Sequence, residues 1–127
     1  MFFILESEKK FEEASRSLEN AIQQVGFGII STHDLDKQFA KKGIKCFDQC
    51  RVFEICDVKP ATEVLAIDIK LNMALPCRIS LYSENGKVKL GMVKPAAMLM
   101  AMSDDKQLKE IAVEVESRMM EMIKIAQ

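Results

Sequence analysis

Excess charge of either sign is missing from this chain: 18 Lys and Arg residues stand against 19 Asp and Glu, a formal net charge of -1 over 127 residues. Non-specific affinity for nucleic acid comes mainly from neutralising phosphates, so DNA and RNA are not expected partners. The pairs Lys9-Lys10 and Lys41-Lys42 read as solvated faces. Long apolar runs are missing as well. Met1-Phe2-Phe3-Ile4-Leu5 stops at Glu6 with no basic segment before it, which fits a strand rather than an export signal, and no membrane association is expected. No cofactor loop, catalytic triad or metal box of recognised spacing occurs, so neither a cofactor nor a resident metal is expected and no reaction is legible. Nor does any linker, repeat or low-complexity stretch divide the chain, which reads as one continuous domain over residues 1–127.

Absence of an export signal also bears on Cys46, Cys50, Cys56 and Cys77. They are expected as reduced thiols in the cytoplasm rather than as structural disulfides. Their spacings match no paired Cys-x-x-Cys zinc ribbon.

What is present is an ordinary globular balance, 49% hydrophobic and 29% charged, in a chain long enough to bury a core without staples. After the first strand, Phe11, Ala14, Leu18, Ala21, Ile22 and Val25 recur at helical spacing from about Glu8, and Gly26 supplies the stop. A strand over residues 27–33 leads to Asp34, which suits the cap of a short helix carrying Leu35 and Phe39 and ending at Gly43. Residues 51–57 alternate like a half-buried strand, and Pro60 opens a short helix through Asp68 with Val64 and Leu65 on its buried side. Residues 71–75 then lead into a hairpin.

The hairpin carries the most information. Asn85-Gly86 is the preferred pair for a two-residue turn with positive φ at both positions. That register sets Glu84 against Lys87, Leu81 against Leu90 and Ile79 against Met92, pairing charge with charge and apolar with apolar. Cys77, Ile79 and Leu81 then share a core face with Val88, Leu90 and Met92, while Arg78, Ser80, Tyr82, Lys87 and Lys89 point the other way. The chain continues through Pro95 and a Met-rich turn into a last helix from about Asp104, with Leu108, Ala112, Val115, Met119, Met122 and Ala126 on one stripe. The fold class implied is α+β, a two-layer sandwich in strand-helix-strands-helix order, with two long helices packed on one face of a largely antiparallel sheet.

Several pieces resemble a known family: Gly26-Phe27 leading to His33-Asp34-Leu35, Lys42-Gly43-Ile44, Phe53-Glu54-Ile55-Cys56, and Leu75-Pro76-Cys77-Arg78-Ile79-Ser80 with Tyr82 and Gly86-Lys87. In this order, across residues 8–93, they are similar to the bacterial and archaeal family called domain of unknown function 302. The resemblance implies a compact α+β domain, a homodimer, and no established activity or cofactor. This chain departs from the family after its first cysteine, where Asn-Pro is usual: here Cys56-Asp57-Val58 stands, and the proline arrives at Pro60.

Two functional readings follow. In the first, the chain is a binding module with Glu54, Arg78, Tyr82 and His33 as candidate binding residues, and a pocket near the sheet region carrying Glu54, Cys56, Pro76, Cys77 and Arg78 takes a small ligand or a partner protein. The bland alternative is a Glu54-Arg78 ion pair on a solvated or dimer-facing sheet. In the second, Cys56 and Cys77 form a thiol site for redox, sulfur or soft-metal handling, with Arg78 as the cation that lowers a thiol pKa; the bland alternative, which free cysteine more commonly follows, is two partly buried structural thiols. Parity opposes that pairing, because Cys56 falls on the polar face with Glu54 and Cys77 on the core face. Only a bulge or a strand end would bring them together. His33, the only histidine, is expected to bond Asp34 or backbone at a helix entry. Met98, Met100 and Met102 are read as packing rather than as a copper site. Homodimerisation is expected from the second sheet face and the continuous stripe of the last helix.

Overall fold

The computed structural model describes residues 1–45 and 47–127, so the Cys46 thiol lies outside the described residues. Strand β1 (Phe2–Ser7) is followed by α1 (Phe11–Gln24), β2 (Gly28–Asp34), α2 (Leu35–Ala40) and β3 (Cys50–Cys56). Then come α3 (Val58–Ile67), a 3-10 turn (Ile69–Ala74), the hairpin strands β4 (Cys77–Glu84) and β5 (Lys87–Val93), and the helices α4 (Pro95–Met100) and α5 (Lys106–Ala126). The strands form one antiparallel sheet in the order β1-β5-β4-β3-β2. Helices α1 and α5 pack against each other over one face of it, as the α+β reading requires.

The hairpin adopts the register set by its turn, with Glu84 opposite Lys87, Leu81 opposite Leu90 and Ser80 opposite Gly91. Asn85 and Gly86 take φ of 53° and 76°, the paired positive values of a primed turn that follows the twist of the strands. Charge pairing is diagonal rather than directly across: Lys89 Nζ reaches Glu84 Oε1 at 2.7 Å, and Lys87 turns to Glu6 on β1. Glu84 and Lys87 flank the turn itself, whereas β1 lies against the outer side of β5 and offers Glu6 to the longer reach of Lys87.

Sorting of side chains follows this register. Phe53, Ile55, Ile79, Leu81 and Leu90 are fully buried under the helices, with Leu18 and Ile22 from α1 and Leu108, Met119, Met122 and Ile123 from α5. All six stripe positions named on the last helix are buried. Its cap is Asp105, whose carboxylate accepts from Leu108 N–H at 2.9 Å. The Met-rich stretch is a helix, α4, rather than a turn, because Pro95 occupies the first helical position, where its missing N–H costs nothing.

Asp34 stands at the start of α2, but its side chain does not cap that helix. It accepts instead from Arg51 Nε at 2.6 Å. Arg51 points to the helix side of the sheet and also bonds Glu12 and the buried Ser15, both at 2.8 Å, with its guanidinium 5.1 Å from the Phe11 ring centre. Two carboxylates and a hydroxyl around one guanidinium outweigh a single N-cap bond. The same contacts raise the Arg51 pKa and hold the Glu12 carboxyl below its ordinary value, the hydrogen bond between the two being the main cause in each.

Candidate functional site

The sheet end where β3 stops and β4 starts is roofed by the connection between them. Ile55 pairs with Cys77 across the two strands, so Cys56 is the last strand residue and sits beside the first residue of β4. Asp57 then caps α3 by accepting from Lys59 N–H, and Pro60 occupies the third position of that helix. From α3 the chain passes through the 3-10 turn and a cis Leu75-Pro76 bond into β4.

Beneath this roof lies a cavity of about 300 Å³ bounded by β3, α3, α4 and α5. Phe27, Ile55, Val64, Leu99, Ile111 and Val115 contribute carbon to its wall; Cys56 and Cys77 contribute sulfur, and Asp57 the only carboxylate. A second hollow of about 540 Å³ lies on the other side of Leu75, Pro76, Cys77 and Pro95, which line both. It runs round the end of the sheet, from Glu54, Arg78 and Ser80 on the uncovered face to Met92 and Met119 in the core.

Cys56 and Cys77 therefore share a cavity despite their opposite parity, because Cys56 stands at a strand end. Their chemistry is not that of activated thiols. Burial, then the neighbouring Cys56, pushes Cys77 up to about 11, and burial followed by Asp57 raises Cys56. Arg78 does not act as the activating cation expected of it: it is exposed and pairs in register with Glu54 on the opposite face of the sheet. Cys50 is raised too, by burial and Asp36.

On the uncovered face, His33 Nε2 lies 2.6 Å from Glu54 Oε1 and 3.3 Å from Ser31 Oγ. The expectation of a bond to Asp34 fails because β2 side chains alternate: His33 is on the outer face with Ser31, while Asp34 points inward to Arg51. Serine and glutamate meet the same ring nitrogen, so this is not a nucleophile-base-orienter relay, which needs both nitrogens. The expected Glu54-Arg78 ion pair is also not formed; Glu54 is held by His33, and among the described residues no carboxylate lies within 4.0 Å of the Arg78 guanidinium. Of the four proposed binding residues, the structure brings His33 and Glu54 into contact, with Arg78 beside Glu54. Tyr82 stands apart, next to a shallow hollow lined by Phe2, Ile4 and Val93. Among the described residues no group of three His, Cys, Asp or Glu side chains could hold a metal ion, and no helix is long and apolar enough to cross a membrane.

The model of the family described as Domain of unknown function DUF302 matches residues 3–126. The chain belongs to this family. The crystal structure of an uncharacterized conserved DUF302 protein from Bacillus stearothermophilus superposes with a TM-score of 0.93 at 29% sequence identity, over 99% of this chain and 98% of that one. No curated protein matches the chain. DUF302 membership thus supports the fold and leaves the chemistry to be argued from the site.

Sequence reasoning missed one member of that site, Arg118. Its guanidinium donates to Asp57 Oδ2 at 2.7 Å and to the Val25 carbonyl at 2.9 Å, and stacks 4.5 Å from the centre of the Phe27 ring. Asp57 and Phe27 both line the cavity. The signal available was an arginine one position from the buried stripe of α5, where a long side chain can reach a neighbouring element.

Proposed function

We propose that this DUF302 domain is a small-molecule binding protein whose cavity beneath α3 takes a compact apolar ligand. The observation that carries the reading is the cavity itself: about 300 Å³ walled by carbon, two thiols whose pKa burial raises, and one carboxylate, Asp57, that Arg118 holds. Protein interiors pack at crystal-like density, and atoms that border an apolar hollow lack packing partners that a ligand would supply. A hollow of this size is at the lower end of ligand pockets. Its wall offers a ligand dispersion contacts and little polar competition, since the Asp57 carboxylate is held by Arg118.

The test is titration of the full chain with benzene and indole, followed by methyl NMR and thermal unfolding. Binding raises the melting temperature by mass action and shifts Val64 and Val115 methyls. Ala61→Leu and Ala112→Leu, which fill the space, should each abolish that rise. A melting temperature insensitive to both compounds at millimolar concentration would overturn the proposal.

The protein works, on this reading, in the cytoplasm as a homodimer. Support for a second copy comes from the β1 edge of the uncovered sheet face, where Phe2 and Ile4 are exposed, and from a net charge of -1 that leaves little repulsion between copies. A monomeric mass at micromolar concentration would refute it. The thiol reading retains one observation, that Cys56 and Cys77 border the same cavity. Faster alkylation of one of them than of Cys50 at neutral pH would favour it.

A further inference from the structure

We infer that the second hollow is a separate site for small amphipathic carboxylates, with Arg78 holding the carboxylate and a methionine floor holding the apolar chain. Four methionines, Met73, Met92, Met98 and Met119, line it together with the valines of β3 and β5. Unbranched thioether side chains adapt to ligands of differing shape, which suits a flexible chain better than a rigid ring. Arg78 lies at the rim, exposed and with no carboxylate within 4.0 Å among the described residues. Its planar fork matches a carboxylate in a way that a lysine would not.

Glu54 stands beside Arg78 across the strand pair. It lines the same hollow, and its Oε1 is held at 2.6 Å by His33 Nε2, so a ligand ammonium would meet it at Oε2. A ligand carboxylate meets Arg78 without displacing any ion pair among the described residues. The carboxylate is therefore the head group the geometry provides for. This site does not depend on the cavity beneath α3 being occupied, since the two hollows are separated by Leu75, Pro76, Cys77 and Pro95.

The experiment compares sodium octanoate with 1-octanol on the full chain by calorimetry, with NMR to locate each ligand. Octanoate should bind about tenfold more tightly, the worth of a charge-assisted hydrogen bond, and shift the Arg78 and Ser80 amides and the Met73 and Met98 methyls. Arg78→Gln should reduce octanoate to the affinity of octanol while leaving octanol unchanged; Arg78 is exposed, so the variant is expected to fold, and unfolding followed by circular dichroism confirms it. Glu54→Gln should tighten octanoate two- to threefold by removing a like charge, an effect the size of a rim electrostatic contact. Equal affinities for octanoate and octanol, or shifts confined to Val64 and Val115 around the other cavity, would overturn this inference while leaving the apolar-ligand reading intact. Tighter binding of 2-aminooctanoate than of octanoate, lost in Glu54→Gln, would overturn it in favour of a zwitterionic ligand.

Discussion

Arg118 and Asp57, 61 positions apart in sequence, meet at 2.7 Å and fasten the middle of α5 to the first turn of α3. Asp57 serves two purposes there, since the carboxylate that receives the guanidinium also accepts the Lys59 N–H that starts the helix. The contact fixes where α3 sits over the cavity.

Removing the guanidinium should therefore loosen the roof as well as lower stability. Arg118→Met keeps much of the packing on Phe27 but leaves the half-buried Asp57 carboxylate and the Val25 carbonyl without their donor. A loss of about 2–3 kcal/mol is expected by urea unfolding, in the range for truncating one partner of a partly buried charged hydrogen bond. Amide exchange in α3 should accelerate more than in α1. Uniform acceleration across both helices would show that Arg118 does not act as a local fastener.

Arg51 makes a comparable prediction for acid. Its hydrogen bond is the leading cause of the lowered Glu12 carboxyl pKa, against an ordinary value of 4.5. A carboxyl held low in the folded state contributes stability that is fully present above 4.5 and is lost as pH falls through the folded value. Arg51→Met should flatten the decline in stability below pH 4.5 and lower the plateau above it. Glu12 is largely exposed, so solvent screens its part; Arg51→Met should cost more than Glu12→Gln because it also strips Asp34 and the buried Ser15 of their partner.

The architecture was legible where one physical rule dominated. Asn85-Gly86 fixed the hairpin register, and the stripes of α1 and α5 fixed the helix layer, because turn chemistry and amphipathic periodicity are local. The fate of polar side chains was not local. Asp34 looks like a helix cap and His33 like its neighbour's partner until β2 is paired with β3, after which alternation sends one to Arg51 and the other to Glu54. The cavity was invisible for a similar reason: its wall is ordinary apolar residues from several elements, and a void between them leaves no pattern in sequence. Parity set Cys56 and Cys77 on opposite faces, but the strand end that brings both to one cavity is a three-dimensional event.

Gly86 and Gly91 offer a test of backbone against space. Gly86 has φ of 76° and nothing within 4 Å of the position a Cβ would take, so Gly86→Ala is expected to cost about 1–2 kcal/mol from left-handed conformation alone. For Gly91 the positive φ is missing, but a Cβ would lie 3.1 Å from Ile4 Cγ1. Gly91→Ala should be partly rescued by Ile4→Ala, and Gly86→Ala should not. Rescue of both, or of neither, in thermal unfolding would contradict this division.

Cys77 gives the molecule an alkaline limit. Its thiol is pushed up to about 11 from an ordinary 9.0, chiefly by burial. Below pH 9 the thiol is protonated in folded and unfolded chains alike, and its contribution is fully present. Between pH 9 and about 11 the unfolded chain ionises while the folded one does not, so stability falls as pH rises, by about 2–3 kcal/mol for a shift of that size. Cys77→Ala should remove this decline at the expense of some packing, whereas Cys50→Ala should leave most of it. A benzene-sized ligand in the neighbouring cavity should exclude water further and shift the decline to higher pH. Stability measured by urea unfolding at pH 8, 9, 10 and 11, with and without benzene, checks both statements, and an unchanged slope in Cys77→Ala would refute the assignment.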